Sequence, residues 1–503
     1  MKINITSGRS DILFYTLTAA VVIVYVLINR HIGISFPTPW PDEAHFLWQA
    51  HAISTHNTLF APELNTERSI MWMPPGYMFL TGLYFKVTGT SLEAARFLSL
   101  IAMVAFFVLI VRFLANYENR WYALALASLF FCNARFIACG NIARMEALLL
   151  LAIAGAFLLI QQGRMLFGLV ILGLAPLLHF NGFYFAVAGL AFAFYLTPRK
   201  NWIALLNRRS FLAALVISAG WIAYGFLVHA NWDSFVNDMA FQFSRKSERN
   251  VWLVITSGHY LIAFWAIILG GIYAYRSRLR AFDLLFLAVP AWLIWPIGHE
   301  LWYEVIDHVG FLFISVFVIH LWLHLVRINK IVTRQWMQIS LIVLFSVGLL
   351  WWNYDGRRID NIFDYSDKAE LVSMKVLPEV PYLTSDDRDR LSEVLISLSH
   401  EHNGLTVEFE PLADAFSYIG LEKEGVQFIC PVFQERKPDI LVVHLSRNLP
   451  TRWQFSKLAL KRAGLTKDLA EHVWYSRDDT EVWFIALLSE RIRAEEYNRT
   501  KIK

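Results

Sequence analysis

Long uncharged apolar runs recur along most of this chain. The first, Ile12 to Asn29, carries no charged side chain over eighteen residues, enough for a helix to cross a bilayer. Runs of this kind predict about eleven crossings, centred on 12–30, 93–114, 121–138, 144–161, 165–180, 181–197, 210–231, 251–275, 282–298, 307–326 and 335–353. The first run lacks a small-x-small cleavage site, and its apolar part is too long for a signal peptide. It reads as a retained signal anchor. The pair at 165–180 and 181–197 is short, with His179-Phe180-Asn181-Gly182 as the turn between its members. A re-entrant member there is tolerable only where protein or a wet cavity covers its backbone.

Beyond residue 353 the pattern changes. Leu405 to Glu410 alternates like a strand, while 439–445 and 481–486 read as two more. Segments 386–400 and 453–470 show helical spacing. The prediction is a polytopic α-helical membrane domain, 1–353, with a first external loop at 31–92, followed by a small α/β soluble domain, 354–503. No nucleotide-binding glycine motif, internal repeat or low-complexity segment interrupts either part.

Composition agrees with this division. Of 503 residues 56% are hydrophobic and only 17% charged, against about a quarter charged in soluble domains. From residue 353 onward there are 21 Lys and Arg against 26 Asp and Glu, whereas the preceding residues hold 24 against 15. Basic residues concentrate in alternate loops: Arg199, Lys200, Arg208 and Arg209; Arg276, Arg278 and Arg280; Arg327, Lys330 and Arg334. Span parity puts these loops on one side with Lys2 and Arg9, and the positive-inside rule makes that side cytoplasmic. The first loop and the tail are then extracytoplasmic. Basic charge spread over loops does not form a nucleic-acid footprint. Three cysteines give neither a disulfide framework nor a metal-ligand spacing.

Candidate chemistry centres on Asp42 and Glu43, in Thr38-Pro39-Trp40-Pro41-Asp42-Glu43-Ala44-His45-Phe46, just after the first span. Pro41 can open a helix, which puts Asp42, His45 and Gln49 roughly on one face. A carboxylate in a partly dehydrated interfacial pocket can take a proton from an attacking hydroxyl. Acidic residues in a first helical turn also simply complement the helix dipole.

Further motifs follow in order: Met73-Pro74-Pro75-Gly76-Tyr77, Gly89, Ala95-Arg96-Phe97-Leu98-Ser99, Ala143-Arg144-Met145-Glu146-Ala147-Leu148 and Leu178-His179-Phe180-Asn181-Gly182. In this order and spacing the chain resembles the GT-C class of membrane glycosyltransferases. Within that class it looks like the dolichyl-phosphate-mannose protein mannosyltransferases and the bacterial aminoarabinose transferases of lipid A. The resemblance covers 12–350 in layout, with its sharp motifs in 40–100 and 143–182. It implies an inverting transfer of sugar from a polyprenyl-phosphate donor to an acceptor glycan, lipid or protein, on the extracytoplasmic face of a bacterial inner membrane. Asp42 would be the general base, and Glu43 would orient acceptor or sugar. No divalent metal is demanded, because a side-chain cation can neutralise the leaving phosphate.

One departure stands out. The family usually has His or Lys before Pro-Pro, where this chain has Met73. Arg68, Lys86, Arg144 and His179 remain as candidate phosphate or substrate contacts, with Arg144 preferred because a charge near a span end is expensive unless partnered or functional. Arg144 could instead pair with Glu146, itself a candidate, or snorkel. Arg96 and Arg135 have similar structural alternatives. His45, Asn181, Tyr303 and Glu304 complete the candidates, the last two in the loop after residue 298. A transporter or flippase for a lipid-linked saccharide is the first alternative, although paired repeats and broken midplane helices are not seen. A non-catalytic membrane scaffold is the second.

Overall fold

The computed structural model describes residues 9–32, 41–60, 71–117, 120–131, 134–198, 208–247, 258–298, 304–328, 385–410, 415–416, 418–429, 438–444 and 484–488. Its helices, in chain order, are α1 (Arg9–Ile32), α2 (Pro41–His56), α3 (Gly76–Thr88), α4 (Leu92–Leu114), α5 (Arg120–Phe131), α6 (Ala134–Gly140), α7 (Glu146–Gln161), α8 (Met165–Leu174) and α9 (Gly182–Leu196). They continue as α10 (Arg208–Ala230), α11 (Trp232–Ser247), α12 (Gly258–Arg276), α13 (Leu285–Gly298), α14 (Glu304–Ile328) and α15 (Ser385–His402).

Among the described residues three helices are long and apolar enough to cross a membrane: Asp11–Arg30, Leu92–Leu114 and Arg208–Ala230. Shorter apolar helices cover Arg120–Phe131, Glu146–Gln161, Met165–Leu177, Gly182–Leu196 and Leu312–Trp322. The apolar run at 121–138 holds α5 and the first part of α6, and that at 165–180 ends in a 3-10 turn, Ala175–Leu177. Hydrophobicity alone does not reveal that turn, since apolar side chains suit both helix types. The run at 335–353, the helix expected at 453–470 and the domain boundary at 353 lie outside the described residues.

Helix starts follow local rules. Ser91 caps α4, its hydroxyl accepting from Ala94 N–H at 3.0 Å, which satisfies one donor of the first turn. α3 follows directly on Pro75, and Gly89, at φ +82°, ends it in a conformation that favours glycine. Pro41 opens α2 as its sequence predicts.

The membrane core forms where α4 and α7 pack side by side with α5, α6 and α9 around them. Phe131 stacks on Tyr25 of α1 at 3.8 Å and on Phe107 of α4 at 4.5 Å between centroids. α1 is pinned at both ends. Arg120 pairs with Asp11 and covers the Phe14 ring, and the Tyr25 hydroxyl donates to Phe136 O at 2.6 Å. α10 buries no residue, though it meets α8, where Trp221 Nε1 donates to Gly173 O at 3.0 Å.

The C-terminal part is a four-stranded sheet of order β2-β1-β3-β4, built from β1 (Leu405–Glu410), β2 (Val426–Phe428), β3 (Ile440–His444) and β4 (Phe484–Leu488). β1 pairs in parallel with β2 and β3, and β4 lies antiparallel to β3. The last strand, Phe484–Leu488, overlaps the expected 481–486, and the three-residue β2 is too short to show in the sequence. α15 packs on this sheet through Leu391, Leu395 and Leu398.

The two parts share a core. Trp48 of α2 is fully buried, with Phe416 at 4.6 Å and Phe428 at 5.9 Å from its ring. Truncating a buried aromatic of this size typically costs about 3–5 kcal/mol. Trp48→Ala is therefore expected to loosen the C-terminal domain from α2, whereas Trp48→Phe retains much of the contact. Limited proteolysis of solubilised protein checks this: the Ala variant should release the domain faster than wild type, with Phe in between.

Candidate functional site

α2 carries its charge at its start. Glu43, its third residue, is 0% exposed, and its partners come from distant parts of the chain. Arg96 of α4 donates from Nε to Oε1 at 3.0 Å and from Nη2 to Oε2 at 2.8 Å, a bidentate pair. The backbone N–H of Ala143 donates to the same Oε1 at 2.7 Å. Both carboxylate oxygens thus accept from protein donors, and α2, α4 and the turn before α7 meet at one point.

That turn is itself held in place. Gly140 ends α6 against Tyr25, whose hydroxyl oxygen lies 2.2 Å from where a Cβ would be. A side chain there would push the turn off α1, and Ala143 N–H with it. Next in the chain, Arg144 is 4% exposed and pairs with Glu146, Nη2 to Oε1 at 3.1 Å. Its guanidinium also lies 5.8 Å from the Phe46 ring centroid. Burial therefore sets this cation against the Glu146 carboxylate and the Phe46 face.

The Pro74-Pro75 segment supplies another wall. Tyr77 is fully buried and edge-on to Phe46 at 6.0 Å. Burial pushes its phenol well above the usual range, and the charges of Glu43 and Glu146 act in the same direction. The hydroxyl stays protonated, a neutral donor among charges. Gly76 is required by close approach, since Leu177 O would lie 2.4 Å from its Cβ. The 3-10 turn before His179 thus rests on the corner that opens α3. From the other side, Asp238 of α11 accepts from Met71 N–H at 2.6 Å, tying that helix to the entry of the segment.

The remaining candidates divide clearly. Asp42 is the second residue of α2, beside Glu43. His45 is 2% exposed and meets Trp72 edge-on at 5.0 Å, inside the same wall. His179 is 1% exposed, and its Nδ1 accepts from Asn181 N–H at 3.0 Å, which makes it a neutral ring with its proton on Nε2. Asn181 Nδ2 is buried with no hydrogen-bond partner. Lys86 is exposed and donates to Asn57 Oδ1 at 2.7 Å. It thereby sits past the far end of α2, roughly 20 Å from Glu43 at 1.5 Å per residue, and does not join the cluster. Glu304 is the first residue of α14. Arg68 and Tyr303 lie outside the described residues.

Sequence reasoning missed two participants. Ala143 contributes only a main-chain N–H, for which no side-chain signal exists. Tyr77 was visible as part of a motif, but its burial among charges required the fold.

No protein-family model matches this chain, and no curated protein does. Among solved structures, the apo oligosaccharyltransferase of Archaeoglobus fulgidus is similar over 94% of this chain and 74% of its own, with a TM-score of 0.42 and 13% identity. The same archaeal enzyme in complex with an inhibitory peptide and a dolichol-phosphate gives 94%, 74%, 0.39 and 12%. Tethered with an acceptor peptide containing the NVT sequon, it gives 94%, 74%, 0.42 and 13%. The likeness is loose and assigns neither a family nor an activity to this chain.

Removing one partner of a buried ion pair typically costs about 3–5 kcal/mol, because the other charge is left uncompensated. Glu43→Gln and Arg96→Met are each expected to lower thermal stability sharply. The double variant should lose clearly less than the sum of the two. A double-mutant cycle on solubilised protein measures that coupling, and simple additivity would show that the pair does not act as a unit.

Proposed function

We propose that this chain is a GT-C-like glycosyltransferase, with about eleven crossings in a plasma membrane and its C-terminal domain on the extracytoplasmic side. It transfers a sugar from a polyprenyl-phosphate donor to an acceptor glycan, lipid or protein. One observation carries this reading. Three motifs far apart in sequence, Asp42-Glu43, Ala95-Arg96-Phe97 and Ala143-Arg144-Met145-Glu146, converge on the Glu43 carboxylate. A cluster of buried charge at one end of apolar helices is costly, and such groups within membrane proteins are by default functional.

In this reading Asp42 is the general base. It takes the proton of the acceptor hydroxyl while the acceptor oxygen bonds to the anomeric carbon and the bond from that carbon to the phosphate oxygen breaks, with inversion. Glu43 acts through Arg96 and Ala143 N–H to fix the start of α2 and so the position of Asp42. Polyprenyl phosphate leaves with the electron pair, and Arg144, held by Glu146, is the cation offered to that growing charge. This arrangement would replace the basic residue that Met73 removes. The buried donor of Asn181 is available for a sugar or phosphate oxygen.

The test is the envelope glycan profile of cells lacking this protein, complemented with wild type or Asp42→Asn. Loss of a general base typically lowers rate by about 10²–10⁴-fold. Wild type is expected to restore a missing sugar, whereas Asp42→Asn inserts normally and does not. Full restoration by Asp42→Asn would remove Asp42 from the role of base.

A further inference from the structure

A small cavity of about 60 Å³ borders Arg96, lined by Asn29, Arg30, Glu93, Phe97, Leu100 and Asn141. A single buried water needs roughly 10–15 Å³, so there is room for a larger polar group. Asn29 is 2% exposed. Its Nδ2 donates to Tyr25 O at 2.9 Å, and its Oδ1 is buried with no hydrogen-bond partner. Only the amide nitrogen can serve a carbonyl, so flipping the amide would not employ the oxygen there. Asn29 therefore has an acceptor left over, and a buried acceptor without a donor is destabilising.

The other walls narrow the ligand. Glu93, in the first turn of α4, adds a carboxylate. Arg30 is exposed at the end of α1 and adds a guanidinium. The charge of Arg96 is already matched by Glu43. The cavity therefore offers the unpartnered Asn29 oxygen to a group that bears N–H donors, and the Arg30 guanidinium to an anion.

Its depth is set by the helices. The apolar span of α1 closes at Arg30, and that of α4 opens at Leu92. Phe97 is 42% exposed beside the cavity and Leu27 of α1 is 61% exposed. Apolar side chains thus face outward next to polar ones, at the level where lipid headgroups lie. We propose that this niche binds the headgroup of a primary-amine phospholipid: the ammonium donates to Asn29 Oδ1 and the Glu93 carboxylate, and the phosphate rests on Arg30. A choline headgroup has the same charge but no N–H, so it cannot satisfy Asn29. The niche involves neither Asp42 nor any donor sugar, and its occupancy is independent of the glycosyl-transfer reading.

Native mass spectrometry of the full-length, detergent-solubilised protein tests this, with phosphatidylethanolamine, phosphatidylcholine and phosphatidylglycerol of matched acyl chains. A hydrogen bond involving a charged group corresponds to about a tenfold or larger preference. One phosphatidylethanolamine per chain should be retained at about a tenth of the concentration that phosphatidylcholine needs. Asn29→Leu should abolish the preference, and Glu93→Gln, at a more exposed position, should weaken it should the Leu variant not fold. Equal retention of the ethanolamine and choline lipids would overturn the proposal. So would a preference for phosphatidylglycerol, which would mark a plain anion site on Arg30, or no retained lipid, which would mark a water-filled niche. A preference undiminished in both variants would also overturn it.

Discussion

The Glu43–Arg96 pair is the interaction on which this architecture turns. Two unit charges withdrawn from water lose several kcal/mol each in hydration, and only close geometry with further hydrogen bonds offsets that loss. Here the geometry is bidentate, and Ala143 N–H supplies the additional bond. Such a pair tolerates little displacement. It sets the start of α2 relative to α4 and to the turn that leads into α7. The turn in turn depends on Gly140 lying flush against Tyr25.

α2 is consequently gripped from two directions. Its first turn is held by charge from the membrane core, and Trp48, further along, is held by the aromatic core of the C-terminal domain. The two restraints differ in character. Ion pairing is directional and specifies register, whereas aromatic burial is larger in area and less exacting in angle. Together they make the helix that carries Asp42 the joint between the domains. A base proposed for Asp42 needs such restraint, since a displacement of about 1 Å at a reacting group can cost about 100-fold in rate.

Much of this was legible in the sequence, for identifiable reasons. The long uncharged runs gave α1, α4 and α10, because a bilayer demands both length and apolarity. Alternation revealed β1, and a short continuous apolar run revealed β3. Pro41 marked the start of α2 through its fixed backbone angle. The acidic pair after the first span singled out α2, Arg144 stood out as a charge that needs a partner or a function, and Arg96 as an anchor at the start of a span. Which partners they take was not legible. Glu146 lies two residues from Arg144 and could be guessed, whereas Glu43 and Arg96 are 53 residues apart and meet only through the packing of α2 on α4. Lys86 shows the converse: its charge type suited the site, but its place beyond the far end of α2 does not. The three-residue β2 left too little pattern to read.

Donor turnover by the purified protein tests the account most directly. Detergent-solubilised chain would be incubated with a panel of polyprenyl-phosphate sugars and envelope extract as acceptor, and release of polyprenyl phosphate followed. The account predicts release from at least one lipid-phosphate sugar, coupled to appearance of that sugar on an acceptor. Movement of an intact lipid-linked sugar across sealed vesicles, with no cleavage of any donor in the panel, would contradict it and make the protein a transporter.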